Sequence, residues 1–242
     1  ALAEVKSQLK QAEFPLRKIK NLKVKSFYTE AFIQTAIKMS EYYVSSPGQI
    51  CKIFTPSAIL HQTKLGPASP VAKTKIIRQA GKFVVPALEN ERWSAYRQII
   101  RESFARQESV FLCLPTSFAL KRAEQTLARG IENRTFLLSH QLSSKEQQRL
   151  WQQVETNESA VLILATPLFL SLARPDIGTF IVDQEQSGAY QTISRPLVDI
   201  RRVIETLAEL SKADLVLGDT VLRTETVKRL GDDELTPLNR NP

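Results

Sequence analysis

The spacing of apolar residues changes character about a third of the way along the chain. Residues 1–13 have the makings of a short frayed helix and nothing more. From Leu16 to Lys25, the apolar Ile19, Leu22 and Val24 interrupt a row of cations. Thr29 then stands as an N-cap for a helix that puts Ile33, Ala36, Ile37 and Tyr43 toward one side. Ser45-Ser-Pro-Gly48 supplies a proline break and a glycine turn to end it, and Ile50 to Thr55 is a further short element before Pro56. Residues 57–80, with Pro67, Pro70 and no sustained period, predict a linker. His61 sits in it, where a lone histidine reads as solvated.

Beyond the linker, strand-like and helix-like patterns alternate. Predicted strands cover Lys82 to Pro86, Ser109 to Pro115, Thr135 to Ser139, Ala160 to Ala165, Thr179 to Asp183 and Asp214 to Gly218. Predicted helices cover Glu91 to Arg106, Phe118 to Arg129 and Leu197 to Leu210, and a capping box at Ser143 and Glu146 opens another through Val154. Continuous apolar strands between amphipathic helices predict an α/β fold, a mostly parallel sheet with helices on both faces. A small basic helical module precedes it, so the expected domains are residues 1–56, a linker at 57–80 and a lobe at 81–242.

Charge sharpens this division. Of the 242 residues, the first 82 hold 14 Lys and Arg against 4 Asp and Glu, and the other 160 hold 19 against 21. All the excess positive charge lies in the first third, which points to a polyanion as partner, most simply nucleic acid. A lysine-rich face that is merely solvated is the plainer alternative. No stretch reaches eighteen apolar residues and no signal-peptide layout opens the chain, so a soluble, cytoplasmic protein with no membrane partner is expected. The two cysteines, Cys51 and Cys113, are far apart, which fits reduced thiols and excludes an all-cysteine zinc site within the chain.

Candidate chemistry gathers at Gly178-Thr-Phe-Ile-Val-Asp-Gln-Glu-Gln186. Asp183 falls at the carboxyl end of a buried parallel strand, where open α/β sheets place their ligands. A nucleotide-hydrolysing lobe puts a Mg²⁺-binding aspartate there and a water-activating glutamate next to it. This chain has Gln184, an amide that can orient water but cannot take its proton. The phosphate site is as poorly equipped. The strand from Lys82 runs into Pro86-Ala-Leu-Glu-Asn-Glu-Arg-Trp93, with no glycine between Gly81 and Gly130 to let backbone amides close around phosphate. Glu89 and Glu91 would repel a triphosphate, and Arg92 offers a lysine's charge without the cradle.

Several segments together resemble one family. Leu114-Pro-Thr-Ser-Phe-Ala-Leu120, Ser139-His-Gln-Leu-Ser-Ser-Lys-Glu-Gln-Gln-Arg-Leu-Trp151, Ala165-Thr-Pro-Leu-Phe169, Ile181-Val-Asp-Gln-Glu-Gln186, Tyr190-Gln191, Arg195-Pro-Leu-Val-Asp-Ile-Arg201 and Leu217-Gly-Asp-Thr-Val221 are similar to the first, RecA-like lobe of the bacterial primosomal replication-restart helicases. Glu41-Tyr-Tyr-Val-Ser-Ser-Pro-Gly-Gln-Ile50 resembles the end of that family's DNA-binding domain. The family's DEEH becomes Asp183-Gln-Glu-Gln186, its glycine-rich loop becomes residues 86–93, and its Ser-Ala-Thr motif becomes Asp219-Thr-Val221. The winged helix, the zinc-binding cysteines and the second helicase lobe are not found in this sequence.

The resemblance implies an ATPase-inactive, nucleic-acid-binding relative, with Asp183, Gln184 and Glu185 vestigial and neither metal nor cofactor expected. Arg17, Lys18, Lys20, Lys23 and Lys25 would contact phosphates. Thr116, Ser117 and Thr166 match loops that track a DNA backbone in the family, although plain helix capping explains them as well. Tyr190 matches an aromatic-bearing loop, where it would stack on a base or simply pack. Expected partners are forked or single-stranded DNA and primosome or single-strand-binding proteins. The alternatives are an active DNA-dependent ATPase lobe lacking its second half, with Asp183 and Glu185 on Mg²⁺ and ATP bound, and a protein-interaction scaffold.

Overall fold

The computed structural model describes residues 28–60, 80–172 and 174–238. The cation row from Arg17 to Lys25, the prolines of the linker and His61 lie outside these residues.

Seven strands form one sheet in which every pair is parallel: β1 (Lys82–Pro86), β2 (Ser109–Cys113), β3 (Thr135–Leu138), β4 (Leu162–Ala165), β5 (Ile177–Asp183), β6 (Asp214–Asp219) and β7 (Thr236–Pro237). Their order is β3-β4-β2-β5-β6-β1-β7. The central strands are apolar throughout because both of their faces are buried. Val110, Leu112, Leu162, Leu164, Ile181 and Val216 point to one side. The alternating Phe111, Cys113, Ile163, Ala165, Phe180, Val182, Leu215 and Leu217 point to the other.

Each side has its own helical cover. On the first lie α4 (Glu89–Ala105) and α5 (Ser117–Leu127), which bring Tyr96, Ile99, Ile100, Leu120 and Ala123. On the second lie α6 (Ser144–Thr156) and α7 (Ile200–Ser211). Three earlier helices join them there: α1 (Glu30–Tyr42), α2 (Pro47–Ile53) and α3 (Ser57–Leu60). Phe32, Met39, Ile50, Phe54 and Ile59 belong to the same apolar cluster as Phe180 and Leu215 of the sheet. Polar contacts fasten this join. Thr55 Oγ1 donates to Ser171 Oγ at 2.9 Å, Gln148 Nε2 donates to the Ala58 carbonyl at 2.7 Å, and the Asp199 N–H donates to Tyr43 Oη at 3.0 Å.

Local signals set the boundaries much as the sequence predicts. Thr29 caps α1 by accepting from the Phe32 N–H, and Ser143 and Glu146 form their reciprocal box at the start of α6. Three elements were not expected from the sequence: α3, α8 (Thr224–Gly231) and the two-residue edge strand β7. Residues 57–60, predicted as the start of a linker, make a helical turn against α6 because Ile59 has a core to enter. The helix expected from Leu197 begins instead at Ile200, capped by Asp199 Oδ1.

Candidate functional site

The strand ends of β1, β5 and β6 meet at the carboxyl edge of the sheet. Asp183 pairs in register with Gly218, and Pro86 with Asp219. Here lies an open depression of ≈ 370 Å³, lined by Glu89, Arg92, Gln184, Gln186, Ser187, Asp219 and Thr220.

Only Ala87 and Leu88 separate β1 from α4, so no loop of any size can form where a phosphate would be held. The first turn of α4 supplies its own anions. Glu91 Oε2 accepts the Leu88 N–H at 3.3 Å, while Glu89 Oε1 accepts Trp93 Nε1 at 3.0 Å and pairs with Arg122 Nη2 at 2.8 Å. A helix N-terminus draws anions through its free amides and its dipole; here Glu89 and Glu91 already set negative charge at that end.

One turn further on, Arg92 fills the space itself. Its Nε donates to Asp183 Oδ1 at 2.8 Å, and its Nη1 to the Ala87 carbonyl at 2.9 Å and Thr220 Oγ1 at 3.0 Å. Arg92 is 3% exposed and Asp183 0%. Tyr96, one turn along α4, donates its hydroxyl to the same Oδ1 at 2.9 Å, and Asp183 Oδ2 is buried without a partner. Burial pushes the Asp183 carboxyl above the usual carboxylate range, against the pull of Arg92 and Tyr96. Burial works against the Arg92 charge as well, and Asp183 outweighs it, leaving the guanidinium raised. We take the pair as ionised, because arginine keeps its proton in proteins and two donors converge on one oxygen.

Tyr96 also explains a glycine. A Cβ at position 218 would stand 1.8 Å from Tyr96 Oη, so the tyrosine occupies the room that Gly218 leaves open.

The two residues after Asp183 part company. Gln184 adopts φ 54°, a left-handed turn that leaves it on the rim of the depression and carries Glu185 underneath. Glu185 is fully buried, with Oε1 accepting the Arg223 N–H at 2.7 Å and Oε2 accepting Thr226 Oγ1 at 3.1 Å, so it anchors the start of α8. This arrangement does not favour the alternative in which Asp183 and Glu185 hold Mg²⁺ together. Asp183 Oδ1 is held by Arg92 and Tyr96, and Glu185 faces another element. No group of three or more His, Cys, Asp and Glu is arranged for a metal ion among the described residues. With Arg92 on Asp183 Oδ1 and Glu89 lining the depression, the residues present are a poor chemical fit for a nucleoside triphosphate with its metal.

The expected DNA-contacting positions fare unevenly. Thr116 is exposed and caps α5 through the Ala119 N–H at 3.1 Å. Ser117 and Thr166 are buried, the former bonded to Ser139 Oγ at 2.9 Å and the latter with its Oγ1 unpartnered. Tyr190 is a correction. It is 0% exposed, and its hydroxyl donates to the carbonyls of Cys113 at 2.9 Å and Asp183 at 2.8 Å, so its ring is part of the core and has no open face for a base. Missed in the sequence were Tyr96 and the pairing of Arg92 with Asp183. Only the cation at position 92, one helical turn into α4, signalled the latter.

No family model matches the chain. Among curated proteins, replication restart protein PriA of Helicobacter pylori is 20% identical over 216 residues, which is 85% of this chain and 35% of that protein. The probable replication restart protein PriA of Deinococcus radiodurans is 30% identical over 139 residues, 56% of this chain and 15% of that protein. The chain thus spans about a third or less of the length of these relatives. Solved structures with a similar course include the C-terminal domain of the DEAD-box protein Dbp5 (TM-score 0.47, 13% identity, 66% of this chain and 90% of that one). The Pyrococcus furiosus Hef helicase domain gives 0.46 at 12% identity, over 67% of this chain and 36% of that one. The chain is accordingly a low-identity relative of replication restart proteins, with an α/β fold built on a seven-stranded parallel sheet. Among the described residues no helix is long and apolar enough to cross a membrane.

Proposed function

We propose that this chain is an ATPase-inactive relative of the replication restart helicases that works in the cytoplasm by binding nucleic acid, forked or single-stranded DNA, within or beside the primosome. The observation that carries the reading is the buried contact of Arg92 Nε with Asp183 Oδ1 at 2.8 Å. The chain's own guanidinium stands where a metal-bound nucleotide would need both space and a free carboxylate. Gln184 supports it, since an amide offers no base for water, and so does the two-residue link between β1 and α4. The cation row from Arg17 to Lys25 and the exposed Thr116 supply phosphate contacts in this reading.

Isothermal titration with ATP and Mg²⁺ should give no heat of binding, and micromolar binding would overturn the inactive-site reading in favour of a working ATPase lobe. Fluorescence anisotropy with forked and single-stranded oligonucleotides should show binding that weakens steeply between two salt concentrations. If neither oligonucleotide binds at low salt, a protein-interaction scaffold takes the place of the nucleic-acid role.

A further inference from the structure

The surface where α1 meets α7 carries features that the strand-end pocket does not use. Tyr42, at the end of α1, keeps 58% of its surface in solvent. The guanidinium of Arg202 from α7 lies over its ring, with Cζ 4.2 Å from the centroid. The ring of Tyr43 meets it edge-on, centroids 4.8 Å apart at 81°. Tyr43 is in turn fixed by the Asp199 N–H, so the platform is tied to the body of the lobe.

Further cations stand on the elements that carry this ring, and Glu41, three residues after Lys38, is an acid among them. Lys38 is exposed one turn before Tyr42, on the same face of α1. Arg195 is exposed on the loop that closes at Asp199 through its bridge to Gln191. Lys38, Arg195 and Arg202 have no carboxylate partner among the described residues. Glu41, the neighbouring acid on α1, points about 100° round the helix from Tyr42. Two apolar side chains are exposed on the same elements: Ile193, on the loop of Arg195, is fully solvated, and Val44, just after α1, is 94% exposed.

Val44 is the telling residue. It terminates α1 at φ 48°, where Ser45 N–H reaches back to the Ser40 carbonyl at 2.8 Å. That turn favours glycine, and a β-branched side chain strains it. The strain gains nothing in packing, since the side chain points into water.

We infer that Tyr42, stacked beneath Arg202, with Lys38 on α1, Val44 just after it, and Arg195 and Ile193 on the loop before α7, is a base-stacking platform for single-stranded nucleic acid. This rests on the proposed nucleic-acid role and gives it a site among the folded residues, apart from the cation row. An exposed aromatic ring offers a π-face to any base, a stacked arginine adds to it, and unpaired cations take the flanking phosphates. The platform is therefore tolerant of sequence and sensitive to salt.

The test is anisotropy with a fluorescent oligothymidine, using the full chain, Y42A, Y42F and R202A, each checked for an unchanged melting temperature. Y42A should bind about tenfold more weakly and Y42F as the parent does. R202A should lower the slope of log affinity against log salt by about 0.7. An oligonucleotide carrying 5-iodouracil should crosslink to Tyr42 under light. Parental binding by both Y42A and R202A, or a crosslink confined to other residues, overturns the platform and leaves the nucleic-acid role standing. Failure of the parent chain itself to bind at low salt removes both.

Discussion

Arg92 and Asp183 are 91 positions apart in sequence and share a hydrogen bond in the interior. A buried pair of this kind is costly to break from one side, because the remaining charge has no solvent to turn to. R92A should lower unfolding free energy by about 3 kcal/mol in urea titrations. The apolar pair R92M/D183L should recover most of that loss, since neither charge is then stranded. Were the double variant as unstable as the single one, packing of the arginine stem, and not the charge, would be what matters. The sequence made the lost base legible at Gln184 and the repelling acids at Glu89 and Glu91, because those depend on residue type alone. It could not show which side chain Asp183 would meet. Nor could it show that the φ of 54° at Gln184 turns Glu185 away to cap α8, since both follow from tertiary placement.

Elements were easier to read than residues. β2, β4 and β5 are buried along their whole length, so unbroken apolar runs betrayed them. α8 was overlooked because Thr224 to Gly231 is only two turns long and buries only Thr226, which leaves few apolar positions to read. β7 pairs through two residues, one of them Pro237, and has no strand pattern to recognise. On α6 the Glu155 carboxyl accepts Trp151 Nε1 at 2.7 Å, and burial, opposed by that bond, raises its pKa to about 7 from 4.5. A carboxyl raised on folding adds stability while it is protonated. Its contribution is whole below pH 4.5 and fades as pH climbs through about 7. Denaturant midpoints measured from pH 4 to 8 should show the parent chain losing stability relative to E155Q over that interval. A parallel pair of curves would mean that Glu155 titrates as it does in the unfolded chain.

At the scale of the molecule, the first helices share their interior with the sheet. Phe54, which follows α2, is fully buried in the cluster that includes Phe180 and Leu215. F54A should cost about 4 kcal/mol and shift one cooperative transition, seen alike by tyrosine and tryptophan fluorescence and by far-ultraviolet dichroism. Two separate transitions, with only the first moved, would instead make residues 28–60 an independent unit.

Gly218 shows how closely α4 is seated beneath the strand ends. The bare position is obligatory for its neighbour, since any larger side chain there would strike the hydroxyl of Tyr96. Rebuilding only the two-residue link between β1 and α4 would thus leave the floor of the depression as it is. Deepening it needs α4 to withdraw its tyrosine and its arginine in concert, and each of them alone would leave the other behind as an obstacle.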